Sequence, residues 1–226
     1  MQLSVIIPAI NEAAHVGRAV RSAREAGACE VIVADGGSSD DTATLAAAAR
    51  ARMIVGPPSR ARQQNAAGGE ATGDVLLFLH ADNALPTGAK AQIETALRNA
   101  KVLHGAFRQR IEAPGIGYRL LERGNAARVR WLGLPYGDQA IFIRRGVFED
   151  AGGFPEVPLM EDLILMQRLR RRAWPVLLPG PLLVSPRRWQ RHGILRQTLR
   201  NWRLTTAYAL GRTPEQLAQQ YRRHDK

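Results

Sequence analysis

Residues 76–86 read LLFLHADNALP, an apolar run that passes directly into His80, Ala81 and Asp82. A segment that is apolar at consecutive positions, rather than at alternate ones, is typical of a strand buried on both faces of a parallel sheet. Ligands of open parallel sheets bind beyond the carboxyl ends of the strands. The stretch therefore predicts a parallel sheet, and it places the carboxylate of Asp82 at the edge where a ligand would bind.

The segments before this stretch repeat the alternation of strand and helix. Short apolar runs are separated by helical segments of ~10–15 residues, a rhythm typical of parallel strands joined by crossover helices. The sequence thus predicts an α/β fold with a Rossmann-like, mainly parallel sheet that is flanked by helices. The predicted strands cover residues 3–9, 29–37, 52–58 and 74–82, and the predicted helices cover residues 12–27, 39–52 and 60–73.

Beyond residue 82 the pattern is less regular, but no linker or repeat interrupts it. A chain of 226 residues that is 45% hydrophobic normally forms one domain around one core. We therefore expect a single domain over residues 1–226, with a C-terminal helical extension from residue 191. The predicted elements are helices at 86–100, 118–132 and 160–173, a strand at 102–112, a strand with a turn at 174–184, a strand, turn and loop at 138–155, and one or two helices from residue 187 onward.

The composition restricts the partners and the compartment. Lys and Arg number 32 against 20 Asp and Glu, which gives a formal net charge of +12, and nearly all of the basic residues are arginine. This charge favours anionic partners, namely nucleotide phosphates, lipid headgroups or nucleic acid, although a solvated arginine-rich surface explains it equally. Cys29 is the sole cysteine, so no internal disulfide can form, which agrees with a reducing cytoplasm. No segment reaches the ~18 apolar residues of a membrane-spanning helix.

Three predicted strands deliver polar residues to the same edge of the sheet, in the loops 8–12, 35–41 and 80–83. The chain has neither the dinucleotide fingerprint G-x-G-x-x-G after its first strand nor a phosphate loop G-x-x-x-x-G-K-[ST]. A divalent cation is then the natural way to hold a diphosphate. Because Mg²⁺ or Mn²⁺ needs only one or two protein carboxylates when phosphates and water complete its shell, Asp82 is the predicted metal ligand. Asp35, which ends a buried strand, is a candidate acceptor for a base or ribose edge.

Six segments stand in this order along the chain: SVIIPAINE, VIVADGGSSDDT, LLFLHADNALP, YGDQAIFIRRGVF, GGFPEVPLMEDLILMQRL and SPRRWQRHG. Each is weakly specific alone, but together they resemble the family 2 glycosyltransferases with the GT-A fold, and most of all a short bacterial subgroup. The resemblance covers nearly the whole chain, residues 2 to 210. It implies a metal-dependent, inverting transfer of a sugar from a UDP- or GDP-sugar to an acceptor hydroxyl.

The resemblance implies a half that binds the nucleotide sugar, residues 1–100. Asp35 matches the aspartate that reads the nucleobase, and Asp82 matches the metal-binding aspartate of the Asp-x-Asp motif. His80 replaces the first aspartate of that motif, and it either contacts the ribose, phosphate or metal or is structural. The implied donor-binding residues are Pro8, Asn11, Glu12, Asp35, Arg62, Asn65, His80, Ala81 and Asp82.

The resemblance also implies a catalytic half that binds the acceptor, residues 101–190. The pair Glu161 and Asp162 matches the Glu-Asp motif of the family. Asp162 is the candidate general base that takes the proton of the acceptor hydroxyl, and Glu161 is the alternative. From the residues alone, two acids at a helix start would equally complement the helix dipole.

Four further residues match the acceptor side of the family. Trp189 would stack on the acceptor, although an aromatic side chain buried under the C-terminal helix explains it equally. The segment RRWQRHG lacks the glutamine of the Gln-x-x-Arg-Trp motif of processive relatives, which favours one transfer per encounter. The acceptor-side residues are Asp138, Gln139, Arg188 and Trp189.

The predicted extension, residues 191–226, contains an amphipathic segment. Three apolar side chains fall on one stripe of the helix, and three arginines fall on the adjacent stripe. This pattern favours contact with an anionic membrane surface, while packing on the same domain or on the second subunit of a homodimer explains it equally. The two stripes are Leu195, Leu199 and Trp202, and Arg196, Arg200 and Arg203.

The sequence supports one leading hypothesis and two alternatives. The leading hypothesis is a cytoplasmic glycosyltransferase, working at the inner face of the membrane on a lipid-linked or anionic acceptor, with no nucleic-acid partner. The first alternative is a nucleotidyltransferase that makes the sugar nucleotide, against which stands the missing glycine-rich loop after the first strand. The second is a non-catalytic module that binds anionic membranes or nucleic acid, an alternative prompted by the charge.

Overall fold

The computed structural model describes residues 1–223 and contains one eight-stranded sheet with helices on both faces. A single 3₁₀ turn, Gly137–Gln139, precedes the seventh strand. The strands are β1 (Leu3–Ala9), β2 (Glu30–Asp35), β3 (Arg52–Val55), β4 (Val75–Phe78), β5 (Asn83–Ala84), β6 (His104–Ile111), β7 (Ile141–Arg144) and β8 (Val176–Val184). The helices are α1 (Val16–Glu25), α2 (Thr42–Ala48), α3 (Arg60–Glu70), α4 (Ala89–Leu97), α5 (Ile116–Leu132), α6 (Arg145–Asp150), α7 (Glu161–Leu169), α8 (Arg187–His192), α9 (Ile194–Ala209) and α10 (Pro214–Arg223).

The order of the strands across the sheet is β3-β2-β1-β4-β7-β6-β8-β5. The first four are mutually parallel, as the sequence predicts. The β7 strand runs antiparallel to both β4 and β6, whereas β6 and β8 pair in parallel. The α/β architecture with helices on each face is therefore confirmed, and every antiparallel pair of the described sheet includes β7 or β8.

Both faces of the sheet are buried because consecutive side chains of the central strands enter two different cores. In β1, Val5 and Ile7 pack with residues of α1 and α4 on one face, whereas Ile6 packs with residues of α3, α6 and α7 on the other. In β4, Leu77 and Phe78 divide between the same two cores. This division explains why the central strands are apolar at every position instead of at every second one.

The second half of the chain departs from the prediction at two places. Residues 145–150, predicted as turn and loop, form α6, whose Phe148 packs against Phe78 with 5.2 Å between ring centroids. The described chain after residue 187 forms three helices, where one or two were predicted, and positions 224–226 lie outside the described residues. Both departures involve six-residue helices, which are too short to be stable alone and depend on tertiary packing.

The two-residue strand β5 ties the loop after β4 to the end of β8. Asn83 pairs with Val184, and Ala84 pairs with Leu183, in antiparallel register. Because Asp82 directly precedes β5 and Arg187 follows three residues after β8, this ladder brings the two side chains to the same place.

Candidate active site

A cavity of about 500 Å³ opens at the carboxyl ends of β1 and β4, the edge of the sheet at which the sequence predicts a ligand. Its wall combines the loops after these strands with the starts of α3, α7 and α8. The predicted site residues that line it are Pro8, Glu12, Arg62, His80, Ala81, Asp82, Glu161 and Arg188. The predicted residues that do not line it are Asn11, Asp35, Asn65, Asp138, Gln139, Asp162 and Trp189.

The carboxylate of Asp82 is bound by an arginine that the sequence interpretation did not select. Arg187 donates from Nε to Oδ2 of Asp82 (2.9 Å) and from Nη1 and Nη2 to the two carboxylate oxygens of Glu12 (2.8 and 2.5 Å). The hydrogen bonds to Glu12, and then the charge of Asp82, raise the pKa of Arg187. The segment SPRR offers two adjacent arginines, and nothing in the local pattern shows which of them turns toward the acids.

The residues around Asp82 fit a hard divalent cation that shares its coordination shell with a diphosphate. Within residues 1–223, no group of three or more His, Cys, Asp or Glu side chains is arranged to hold a metal. The carboxylates of Asp82 and Glu12 do converge, because both bind the same guanidinium. One or two carboxylates are the usual protein contribution to a Mg²⁺ shell that phosphate oxygens and water complete. The donor set therefore fits the predicted Mg²⁺ or Mn²⁺, provided that Arg187 releases it.

His80 lines the cavity and also lies next to Gly137, in the 3₁₀ turn before β7. Its Nε2 is buried and has no hydrogen-bond partner among the described residues. Burial lowers the pKa of His80 well below its usual value, and the positive charges of Arg60, Arg188 and Arg187 lower it further. The low pKa keeps the ring neutral at physiological pH, and its unsatisfied Nε2 lies next to Gly137.

The two acids at the start of α7 point to different places. Glu161 is buried in the cavity wall and pairs with Arg60 (Oε1 to Nη1, 3.2 Å); burial raises the pKa of this carboxyl group, while the charge of Arg60 opposes the rise. Asp162 instead accepts hydrogen bonds from the backbone N–H of Gly137 (2.6 Å) and of Leu163 (2.7 Å). The two predicted base candidates thus differ in position: Glu161 borders the cavity, and Asp162 borders the turn before β7.

Gly137 is the point at which the loop after β4, the 3₁₀ turn and α7 meet. A Cβ atom at this position would lie 3.0 Å from Nε2 of His80 and 3.2 Å from Oδ2 of Asp162. Next to it, Nδ2 of Asn83 donates to the backbone carbonyl of Asp138 (3.1 Å). The absence of a side chain at residue 137 therefore leaves room for both the His80 ring and the Asp162 carboxylate beside the backbone of Gly137.

Two of the predicted donor-binding residues are engaged in holding loops together. The carboxylate of Asp35 accepts hydrogen bonds from the backbone N–H (3.0 Å) and the hydroxyl of Ser38. The side-chain Oδ1 of Asn11 accepts a hydrogen bond from the backbone N–H of Ser39 (2.9 Å). The backbone N–H of Asn11 donates to the hydroxyl of Ser38 (2.9 Å). The bonds of Asp35 stabilise the loop after β2, and the bonds of Asn11 join that loop to the loop after β1.

Two side chains of α3 show a similar structural role. The amide of Asn65 donates to the carbonyl of Phe154 and accepts from its N–H, both at 2.8 Å, so it clamps the segment after α6. Gln63, which the sequence interpretation did not select, lines the cavity and donates to the carbonyls of Ala9 (2.8 Å) and Ala34 (2.7 Å). The side-chain amide of Gln63 thereby links the carboxyl ends of β1 and β2.

Asp138 and Gln139 belong to a polar cluster beside the cavity. Burial raises the pKa of Asp138 despite the opposing charge of Arg128, and its Oδ1 is buried without a partner among the described residues. Oε1 of Gln139 accepts from Nη2 of Arg128 (2.9 Å) and from the N–H of Tyr136 (3.2 Å). The guanidinium of Arg128 also lies 3.3 Å from the centre of the Tyr136 ring. Sequence reasoning missed Arg128 because α5 contains several arginines of similar spacing.

The C-terminal residues divide between the core and the surface. Arg188 is exposed and lines the cavity. Trp189 is partly buried: it packs edge to face on Tyr118, with 6.4 Å between ring centroids, and lies against the hydrophobic core. This contact favours the packing interpretation of Trp189.

The predicted apolar stripe of α9 faces outward, with Leu195, Leu199 and Trp202 exposed by 79%, 55% and 66%. In the part of the chain that the structure describes, no helix combines the length and hydropathy needed to cross a bilayer.

Comparison with known proteins gives one family match for this chain. The family model described as "Glycosyl transferase family 2" matches residues 4–154, which include β1 to β4, the metal-ligand candidate and the polar turn. The search of curated proteins finds no match. The family match favours sugar transfer over the two alternatives that the sequence left open.

Two groups of solved structures are similar to the chain. TarS 1–349 from S. aureus, in complex with UDP-GlcNAc, shares 17% identity at a TM-score of 0.61; the match covers 82% of this chain and 58% of that one. Glucosyl-3-phosphoglycerate synthase from Mycobacterium tuberculosis, in complex with Mn²⁺, UDP and glucosyl-3-phosphoglycerate, shares 19% identity at a TM-score of 0.54, and the match covers 81% of this chain and 69% of that one. The likeness shows the GT-A type of fold. The chain spans less than two thirds of the TarS 1–349 chain.

Proposed function

The chain belongs to glycosyl transferase family 2, and from this we propose that it transfers a sugar from a nucleoside-diphosphate sugar to an acceptor hydroxyl. One observation carries the proposal: the 500 Å³ cavity at the carboxyl ends of β1 and β4 is lined by both carboxylates and arginines. Acids suit a metal ion, and arginines suit phosphate oxygens. A diphosphate donor uses both kinds of group. The complexes of TarS with UDP-GlcNAc and of the synthase with UDP support the same class of donor.

We propose that Asp82, with Glu12, holds Mg²⁺ or Mn²⁺ together with the diphosphate. The bound ion would neutralise the charge that develops on the leaving diphosphate. The chain itself supplies the rest of the donor site: Arg62 and Arg188 line the cavity, and Asp35 ends the strand next to it. Mn²⁺ and Mg²⁺ occur with UDP in the synthase complexes, which supports the assignment.

We propose an inverting reaction in which a carboxylate at the start of α7 is the general base. The base takes the proton of the acceptor hydroxyl, the hydroxyl oxygen forms a bond to the anomeric carbon, and the bond to the diphosphate breaks with its electron pair leaving on the diphosphate oxygen. Asp162 is the preferred base because two backbone N–H groups orient it, whereas Glu161 is already paired with Arg60.

The acceptor would approach from the side of Asp138, Gln139 and Arg188. We propose a lipid-linked or anionic acceptor, with the protein at the cytoplasmic face of the membrane, because the outward apolar stripe of α9 lies beside three arginines. Trp189 is proposed to support this side through its packing on Tyr118.

Sedimentation with vesicles tests the proposed contact between α9 and the membrane. The protein should bind to anionic but not to neutral vesicles. A salt-insensitive homodimer without vesicle binding would contradict the proposed contact.

Thermal unfolding with UDP or GDP, with and without Mn²⁺, tests the donor site. A ligand present at 100 times its Kd stabilises the folded state by about 2.7 kcal/mol, so a clear metal-dependent rise in Tm is expected for one of the two nucleotides. The Asp82→Ala variant should lose the metal-dependent part. Asp41→Ala, which removes the same charge from an exposed position outside the cavity, should keep it. Equal shifts with and without metal would refute the metal assignment.

Paired variants of the two acids test the catalytic assignment. Asp162→Asn should lower turnover about 10²- to 10⁴-fold, the usual loss for a general base, while the nucleotide-dependent shift in Tm remains. Glu161→Gln should lower turnover much less. The reverse order would assign the base to Glu161, and full activity of both variants would exclude α7 from proton transfer.

A further inference from the structure

Arg187 occupies the two carboxylates that the proposed metal would need. Its Nε binds Oδ2 of Asp82, and its Nη1 and Nη2 bind both oxygens of Glu12, so three of the four carboxylate oxygens are engaged by one side chain. The side chains of Asp82 and Glu12 are only 12% and 17% exposed. A guanidinium that bridges two largely buried acids is a strong local counter-ion. A divalent cation and Arg187 therefore cannot use these oxygens at the same time.

The position of Arg187 is set by the sheet and does not depend on a flexible surface loop. The β5–β8 ladder pairs Asn83 with Val184, and only residues 185 and 186 separate this ladder from Arg187. Asp82 lies on the other side of the same ladder, directly before Asn83. The guanidinium can leave the acids by a change of side-chain torsion angles, without breaking the ladder.

The cavity offers Arg187 few alternatives among the described residues. Arg60 pairs with Glu161, and Arg62 pairs with Glu156 (2.8 Å), so these two acids already have basic partners. A guanidinium displaced from Asp82 would thus need a new anion. A diphosphate that enters the cavity would supply this anion, because arginine forms bidentate hydrogen bonds with phosphate groups as it does with carboxylates.

We propose that Arg187 competes with the divalent cation for Asp82 and Glu12, so that the cation binds together with the diphosphate and not before it. This inference rests on the proposed donor site, and it adds an order of binding and a positioning residue. The diphosphate draws the guanidinium away from the carboxylates, and the vacated carboxylates then bind the cation. Arg187 has opposite effects on the two ligands: it weakens binding of the free cation and strengthens binding of the diphosphate.

Removal of Arg187 separates these two effects. In Arg187→Gln the acids face each other without a counter-ion, so affinity for Mn²⁺ alone should rise, by about tenfold for a typical coupling between two competing ligands. Affinity for UDP or GDP in saturating Mn²⁺ should fall by a similar factor. A merely structural role for Arg187 would weaken both ligands together.

The experiment measures Mn²⁺ binding without nucleotide, by electron paramagnetic resonance of the free ion, for the wild type and for the variants. Arg191→Gln is the matched control, because Arg191 lies on the same helix, is exposed and carries the same charge. Wild type and control should bind Mn²⁺ equally weakly, and Arg187→Gln should bind it more tightly. Adding Asp82→Asn to Arg187→Gln should remove the gain. Unchanged or weaker Mn²⁺ binding by Arg187→Gln would overturn the proposal.

Two further measurements keep the outcome unambiguous. Arg187→Lys keeps the charge, but an ammonium group lacks the planar, bidentate geometry with which a guanidinium binds two acids. The affinity of this variant for Mn²⁺ should therefore lie between those of wild type and Arg187→Gln. Arg187→Lys decides the question if Arg187→Gln does not fold. The proposed function fails separately, if no nucleotide or nucleotide sugar stabilises the protein under any metal condition. In that case the difference in Mn²⁺ binding would still report the competition.

Discussion

Acid should destabilise this protein in part through a buried histidine that does not line the cavity. His104 begins β6, is 0% exposed, and neither of its ring nitrogens has a hydrogen-bond partner among the described residues. Burial lowers the pKa of His104 from 6.5 to about 4. Since the folded pKa lies below the unfolded one, the stabilising contribution is present above pH 6.5 and is lost as the pH falls toward 4.

The magnitude follows from the two pKa values. At pH 5 the histidine of the unfolded chain is mostly protonated, while that of the folded chain is mostly neutral, and the free energy of unfolding falls by about 2 kcal/mol relative to pH 7. The full loss, below pH 4, is about 3 kcal/mol. A loss of this size is a substantial part of the stability of a typical domain.

The assay is urea unfolding of wild type and His104→Leu at pH 7 and at pH 5. Leucine has a similar volume and no ring nitrogens, so the variant should be about as stable as wild type at pH 7 because no buried polar atom is left unsatisfied. Between pH 7 and pH 5, wild type should lose about 2 kcal/mol more than the variant. Equal losses in the two proteins would show that the folded chain accommodates the protonated ring, and the reasoning would be wrong.

Two substitutions test the parts that position the site. Gly137→Ala adds a Cβ atom 3.0 Å from Nε2 of His80 and 3.2 Å from Oδ2 of Asp162. Turnover should fall about 10²-fold because the base is misplaced, with little change in Tm. Wild-type turnover in this variant would contradict the assignment of Asp162 as the base. Asn65→Ala removes both hydrogen bonds to Phe154 and should lower the free energy of unfolding by about 2 kcal/mol, at about 1 kcal/mol for each bond; an unchanged urea midpoint would show that the segment after α6 is held by other contacts.

The parallel half of the sheet could be predicted because its signals are local. Apolar runs such as LLFL identify buried strands, and their ends place Asp82 at the ligand edge without any knowledge of the rest of the chain. Residues 145–150 gave no such signal. Their helix depends on Phe148 and its contact with Phe78, a residue 70 positions earlier (148 minus 78), and a pattern read within one segment does not contain that information.

The direction of individual polar side chains was the least predictable feature. Gln63 and Asn65 lie two positions apart on α3, and the fold turns the first into the cavity wall and the second onto Phe154. Adjacent arginines divide in the same way, since Arg187 binds the acids while Arg188 stays exposed. A motif names the residue types that a site needs, but helix phase and tertiary contacts decide which neighbour contributes.

The bridge between Glu12 and Arg187 joins positions that are 175 residues apart. Closing so long a stretch of chain costs conformational entropy before any contact repays it. During synthesis, Glu12 and Asp82, which lie in the loops after β1 and β4, emerge well before Arg187 does. The bridge can form only after residue 187 has been added, so the wall of the cavity that Arg187 completes is assembled late in synthesis.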